Sequence, residues 1–132
     1  MKLAQTLAAK EYDLSTAVAA GSRAWRDAFN AGDAAAAAAL YEDDAVMVVT
    51  PIGTFEGREA IEAFWTDIIA QGFGDVVYRN TVTTVVDQSL TAARVSADWA
   101  MNKAQGVITN ELWVLQPDGT AKMREDHFEI AQ

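Results

Sequence analysis

Apolar positions in the N-terminal half recur at helical spacing. Leu14, Val18, Trp25 and Phe29 lie near multiples of a turn, with Gly21 and Ser22 on the same stripe. Gly32 follows as a helix stop, and Asp33 is placed to cap a second short helix over Ala34–Tyr41. The run of six alanines in that helix is explained by helix propensity and close packing. Next comes a fully apolar strand, AVMVV (Ala45–Val49), closed by Thr50-Pro51-Ile52-Gly53. The strongest period begins after Gly57. There Ile61, Phe64, Trp65, Ile68 and Ile69 fall at i, i+3, i+4, i+7 and i+8, a third helix ended by Gly72 and Gly74.

From Val76 the period changes to that of strands: Val76–Val86, Thr91–Met101, Val107–Leu115 and Thr120–Ile130, the last two joined by a Gln116-Pro117-Asp118-Gly119 turn. Three helices followed by a meander of strands predict a single α+β domain over residues 1–132, its helices against one face of a mostly antiparallel sheet. The last strand poses a question. Its alternation separates Lys122, Arg124, Asp126, Phe128 and Ile130 from Met123, Glu125, His127, Glu129 and Ala131, and either one of these charged rows points into the protein or both face water.

Composition narrows the partners. The chain has 132 residues, 51% hydrophobic and 22% charged, as a folded soluble domain has. Its net charge of −9 and its lack of a basic cluster disfavour nucleic acid and anionic membrane. No cysteine and one histidine, His127, exclude thiolate chemistry and a histidine-rich metal site, so no metal and no cofactor are expected. The start, MKLAQTLAAKEYD, is a poor secretory signal, and no stretch is long enough to span a membrane; a cytoplasmic location is expected.

FNAGDAAAAAALYEDDAVMV, GTFEGREAIEAFW and PDGTAKMREDHFE together resemble the nuclear transport factor 2-like superfamily, closest to its SnoaL-like polyketide cyclase and ketosteroid isomerase-like branches. The resemblance covers about Trp25 to Glu129. It implies a cystatin-like cone: a curved, mixed or antiparallel sheet wrapped around three N-terminal helices, with a pocket at the open end. It also implies a homodimer through the outer face of the sheet. Isomerases, cyclases, epoxide hydrolases, dehydratases and non-catalytic domains share this fold, so function rests on the site.

The residues of a ketosteroid isomerase are not retained. Where that family has its Asp base, before the strand-ending Pro, this chain has Thr50. Trp25 and Trp65 replace the oxyanion tyrosine and its supporting tyrosine, and the second acid matches Glu111. The epoxide hydrolase branch ends in a strand similar to EDHFE (Glu125–Glu129), which matches its catalytic Asp to Asp126. Its earlier Arg-x-Asp is Ser96-Ala97-Asp98 here, with Arg124 or Arg94 as substitutes for the missing Arg. This matching implies catalytic Asp126, Asp98 and Arg124. It also implies a pocket lined by Trp25, Val48, Thr50, Phe64, Trp65, Ser96, Glu111 and Phe128. Arg124, Ser96 and Asp98 then point inward. Val95, Ala97, Trp99 and Met101 form the outer dimer face, although burial of apolar residues alone would turn that strand the other way.

Each assignment has a plainer alternative. Asp126 is a general acid or base in an apolar pocket, or a structural partner of Arg124 or Arg94, or part of a solvated edge. Trp25, Trp65 and Phe64 are pocket wall or ordinary core. Glu42-Asp43-Asp44 is a cation site or a solvated junction. The functional expectation is acid–base chemistry without a cofactor (isomerase, cyclase or hydrolase) on a small apolar or polycyclic substrate; the alternative is a ligand-binding or dimerisation domain with a vestigial pocket.

Overall fold

Helix α1 (Lys2–Asn30) buries Leu14, Val18, Trp25 and Phe29, the stripe expected from the sequence. The structure is a computed structural model that describes residues 2–132, with side chains from Thr6 onward. Met1, at the head of the segment expected to be a poor signal, lies outside the described residues. Asn30 ends α1 by pairing both polar groups of the Val76 backbone, Nδ2 donating to the carbonyl (3.1 Å) and Oδ1 accepting from the amide (2.7 Å). Asp33 Oδ1 then accepts from the Ala36 amide at 3.0 Å, capping α2 (Ala34–Ala38). The helix stops three residues short of the expected Tyr41. Tyr41 instead opens β1 (Tyr41–Thr50), paired with Met123 of the last strand and fully buried. Tertiary pairing overrides the helical tendency of the alanine run.

β1 turns through a cis Thr50–Pro51 bond into β2 (Gly53–Glu56), a short edge strand that the Thr50-Pro51-Ile52-Gly53 turn signal concealed. Helix α3 (Arg58–Ala70) follows, then β3 (Val77–Val85), β4 (Ala92–Ala100), β5 (Gln105–Leu115) and β6 (Ala121–Ile130). The curved, unclosed sheet runs β2-β1-β6-β5-β4-β3, antiparallel throughout except for the parallel β1–β6 pair. α1 and α3 cover its inner face, completing the α+β cone.

Register decides what enters the cone. β4 alternates strictly: Ala93, Val95, Ala97 and Trp99 are buried, while Arg94 and Asp98 are exposed and Ser96 is half-buried. The expected inward placement of Ser96 and Asp98 is therefore corrected, because apolar burial governs this strand. The same result removes Val95, Ala97 and Trp99 from the outer face: the row expected to bind a second copy packs inside the protomer, with Met101 half-buried beside it.

β5 and β6 do not alternate strictly. A bulge between Ile108 and Asn110 leaves Thr109 without an opposite residue, and one between Leu112 and Trp113 leaves Arg124 of β6 likewise. Neither row expected for the last strand survives intact. Ala121 and Met123 face the core, the bulge at Arg124 shifts the phase, and Asp126 and Phe128 face it next. Arg124, expected inside, is exposed and bonded to Glu42, Nε to Oε1 at 2.7 Å and Nη2 to Oε2 at 3.2 Å.

Close approaches fix the helix on the sheet. A Cβ on Gly21 of α1 would lie 2.6 Å from the Trp113 ring, so the helix seats on β5 through a missing side chain. At Gly106 a Cβ would meet the Glu129 carbonyl oxygen at 1.9 Å.

Candidate acid–base site

Between the two bulges, Glu111 of β5 and Asp126 of β6 stand directly opposite each other. Each is only 3% exposed, on the inner face of the sheet. Tyr41 Oη donates to Asp126 Oδ2 at 2.6 Å and accepts from Trp65 Nε1 at 3.2 Å. On the other strand, Glu111 Oε2 accepts from Tyr78 Oη at 3.1 Å and Oε1 from Trp113 Nε1 at 2.9 Å. Each carboxyl thus has its own tyrosine and its own indole, joined differently: in series on Asp126, in parallel on Glu111.

Tyr41 is held from behind. Arg58 donates to its carbonyl from Nε (3.0 Å) and Nη2 (2.7 Å), while Nη1 pairs with Asp43 at 2.7 Å. The arginine of the G-R-E-A-I segment therefore positions the residue that orients Asp126. Arg26 stacks over the Tyr78 ring (4.8 Å to the centroid) and donates to Ser22 Oγ at 2.6 Å.

These environments separate the two acids. Burial, and then the charge of Glu111, push the Asp126 carboxyl up to about 8, against the opposing bond from Tyr41. Burial also raises Glu111, but the bonds from Trp113 and Tyr78 and the field of Arg26 favour its charged form. Both acids are thus held above the ordinary carboxylate range, with the charge of Glu111 acting on Asp126 and the bonds on Glu111 opposing its rise. Tyr41 and Tyr78 are both pushed well above the ordinary tyrosine range, chiefly by burial and then by the neighbouring carboxyl, and stay neutral donors.

The pair opens on a small cavity, about 20 Å³ or room for about one water. Its remaining wall is apolar and aromatic, including Trp25, Trp65, Trp99 and Phe128. Trp25 stacks on Phe29 (5.3 Å between centroids), and Trp65 stacks on Phe128 (5.8 Å). A second space, an apolar groove of about 850 Å³ lined by Phe55, Phe64, Ile68 and Ile130 among others, shares Trp65, Trp99, Met101 and Phe128 with the cavity. Those four side chains form the boundary between the two.

Of the residues expected at the site, Asp126, Glu111, Trp25, Trp65 and Phe128 line the cavity, and Phe64 lines the groove. The others lie elsewhere. Asp98 is exposed and accepts from Asn80 Nδ2 at 2.8 Å, Ser96 shares its face of β4, and Arg124 is bound to Glu42. Val48 and Thr50 fall out of phase with the buried row Ala45, Met47 and Val49, so neither lines the cavity. The acidic run is not a separate centre: Glu42 pairs with Arg124 and Asp43 with Arg58. Tyr41 and Tyr78 carry no signal of this role in the sequence: Tyr41 closes an alanine-rich run of helical tendency, and Tyr78 lies in a stretch of strand-favouring residues.

Comparison with known proteins agrees with this architecture. The chain is similar in structure to a ketosteroid isomerase-like protein from Erwinia carotovora atroseptica (TM-score 0.73, 17% identity, 89% of this chain and 95% of that one). It is similar to ActVI-ORFA from Streptomyces coelicolor (TM-score 0.73, 14% identity, 89% and 97%). A protein of unknown function with a cystatin-like fold from Nostoc punctiforme aligns at TM-score 0.70 and 9% identity, covering 89% and 90%. At such identities these likenesses show the fold alone. Among proteins of curated function, no sequence matches significantly. The sequence profile of the SnoaL-like domain matches residues 22–121, and the chain belongs to that family, within the nuclear transport factor 2-like superfamily.

Proposed function

We propose that the chain is an acid–base enzyme acting through its own carboxyls on a small apolar substrate. Asp126 is the proton donor, and Glu111 is the partner that holds the charge. One observation carries this reading: two buried carboxyls face each other at the base of an apolar cavity, in surroundings that drive their proton affinities apart. In a catalytic cycle the proton of Asp126 passes to the substrate as another passes from the substrate to the carboxylate of the pair. The charge of the pair is unchanged, which suits isomerisation, cyclisation or dehydration better than net uptake of a proton. Tyr41 and Tyr78 position the two acids, and Arg58 positions Tyr41. Asp98 and Arg124, exposed on the outer face, take no part.

A second reading, a ligand-binding domain with a vestigial pocket, draws on the small volume of the cavity. The two differ in a titration. Carbon NMR of the Asp126 carboxyl, assigned by its loss in Asp126→Asn, should give an apparent pKa near 8. A value in the ordinary carboxylate range near 4 would leave no acid at neutral pH and overturn the enzyme reading. Turnover should fall as pH rises through that pKa and be lost in Asp126→Asn; full activity in that variant would equally refute the assignment.

A further inference from the structure

On α1, Ser15, Ser22 and Arg26 fall at i, i+7 and i+11 and so share one stripe. On the edge strand β3, alternation alone would separate Tyr78 from Thr81 and Thr83. An extra residue between Arg79 and Val82, with Asn80 at φ +56°, shifts the phase and brings all three to one face. The two rows line a pocket of about 290 Å³ between α1 and β3, with no acidic residue in its wall. The cavity has two carboxyls, and the groove has Asp67 beside Lys103. Of these three spaces, this one alone offers a cation and no acid.

The guanidinium of Arg26 sits between two residues of that wall. Its Cζ lies 4.8 Å from the centre of the Tyr78 ring, and Nη1 donates to Ser22 Oγ at 2.6 Å. Tyr78 also lines the inner cavity whereas Arg26 does not, which places the guanidinium on the far side of the ring from Asp126 and Glu111. One of its five N–H donors is used there, and Arg26 is half-buried without an ion pair among the described residues. The other half-buried arginine, Arg58, has Asp43 at 2.7 Å. Bracing Tyr78 accounts for the ring contact but not for the rest of the wall. The hydroxyls of Ser15, Thr81 and Thr83 line the same pocket and bond to no other described residue. A planar fork of donors beside neutral hydroxyl donors matches the oxygens of an oxyanion.

We infer that Arg26 anchors a second site, for a small oxyanion: a carboxylate or phosphate group held by its guanidinium together with the hydroxyls of Ser15, Thr81 and Thr83. The site lies outside the acid–base cavity and does not depend on the enzyme reading, because its binding is measured without turnover. It acts on that cavity through charge. Burial raises the Glu111 carboxyl, and Arg26 is among the groups that oppose the rise; a bound oxyanion offsets that opposition.

The test replaces chloride stepwise by inorganic phosphate, or by acetate, at constant ionic strength and neutral pH on the full-length protein labelled with ¹⁵N and ¹³C. The Arg26 Nε–H resonance, assigned by its loss in Arg26→Met, should shift and saturate with at least one probe, together with the amides of Thr81 and Thr83. Saturation by phosphate and not acetate assigns the site to phosphate groups, and the reverse assigns it to carboxylates. Arg26→Met should weaken binding by about tenfold or more, and Thr83→Val, at an exposed position, severalfold. Should Arg26→Met fail to fold, Arg26→Lys supplies the assignment and Thr83→Val the change in affinity. At saturating ligand the Glu111 carboxyl carbon should titrate at higher pH than in chloride. An Arg26 that only braces Tyr78 would give no saturable shift with either probe up to tens of millimolar, and that result would overturn the inference. Unchanged affinity in Arg26→Met, or a Glu111 titration unmoved at saturation, would place the ligand elsewhere and overturn it equally.

Discussion

Replacing Asp126 by Asn should change how stability depends on pH, in a direction fixed by the burial of this carboxyl. In the folded chain Asp126 titrates at about 8, against an ordinary value of 3.8. Between those values the folded protein keeps a proton that the unfolded chain has released. Folding therefore takes up a proton, and stability falls as pH rises. One proton corresponds to about 1.4 kcal/mol per pH unit, so from pH 5 to pH 7 Asp126 alone removes a few kcal/mol. That is a large share of the stability usual for a domain, about 5–15 kcal/mol. Glu111, also raised, adds a slope of the same sign. The carboxyls held low, Glu42, Asp87 and Asp118, act in the opposite sense and near their ordinary values of 4.5, 3.8 and 3.8, below this window. Urea unfolding followed by tryptophan fluorescence at pH 5, 6, 7 and 8 measures the slope. The wild type should lose stability across the series, and Asp126→Asn should lose less by about 1.4 kcal/mol per pH unit. Parallel curves for the two proteins would refute the reasoning, because Asp126 would then titrate alike folded and unfolded.

Tyr41→Phe removes a bond that favours the Asp126 carboxylate and strands the Trp65 indole. It should raise the Asp126 pKa further by carbon NMR and cost about 1–3 kcal/mol in urea. Gly21→Ala would press a methyl into the Trp113 ring, with an expected loss of about 1–3 kcal/mol and a shift in the Trp113 indole resonance that reports strain on its bond to Glu111. Arg124→Ala, which breaks an exposed pair, should change stability by less than about 1 kcal/mol and leave the Asp126 titration in place; a moved titration would mean that Arg124 reaches the site. Trp99→Glu should destabilise the protomer itself in thermal melts, because Trp99 is core; a stable variant would contradict its burial.

Helical periodicity placed α1 and α3 well, because a stripe such as Ile61, Phe64, Trp65, Ile68 and Ile69 needs only local spacing to be recognised. Asp126 was legible through its likeness to a family strand, and Glu111 through a weaker match. What stayed hidden has a common cause. Arg124 and Thr109 are extra residues that exist only relative to a neighbouring strand, so strict alternation sent Arg124 inward. Asp98 is a different case: the family pattern turns it inward, whereas the burial of Val95, Ala97 and Trp99 turns it out. Tyr41 stood at the end of an alanine helix, and nothing local says that it pairs with Met123.

The paired bulges have a consequence for comparing related chains. Arg124 and Thr109 are each the extra residue of a bulge, so without Arg124 the run Met123, Glu125, Asp126 would alternate regularly, and without Thr109 so would Ile108, Asn110, Glu111. Either acid keeps its inward place with or without the extra residue. Two relatives whose acids differ by one in their spacing from the neighbouring core residue would then carry the same site. An alignment that refuses a gap at the bulge would set Asp126 against an outward-facing residue and count the site as lost.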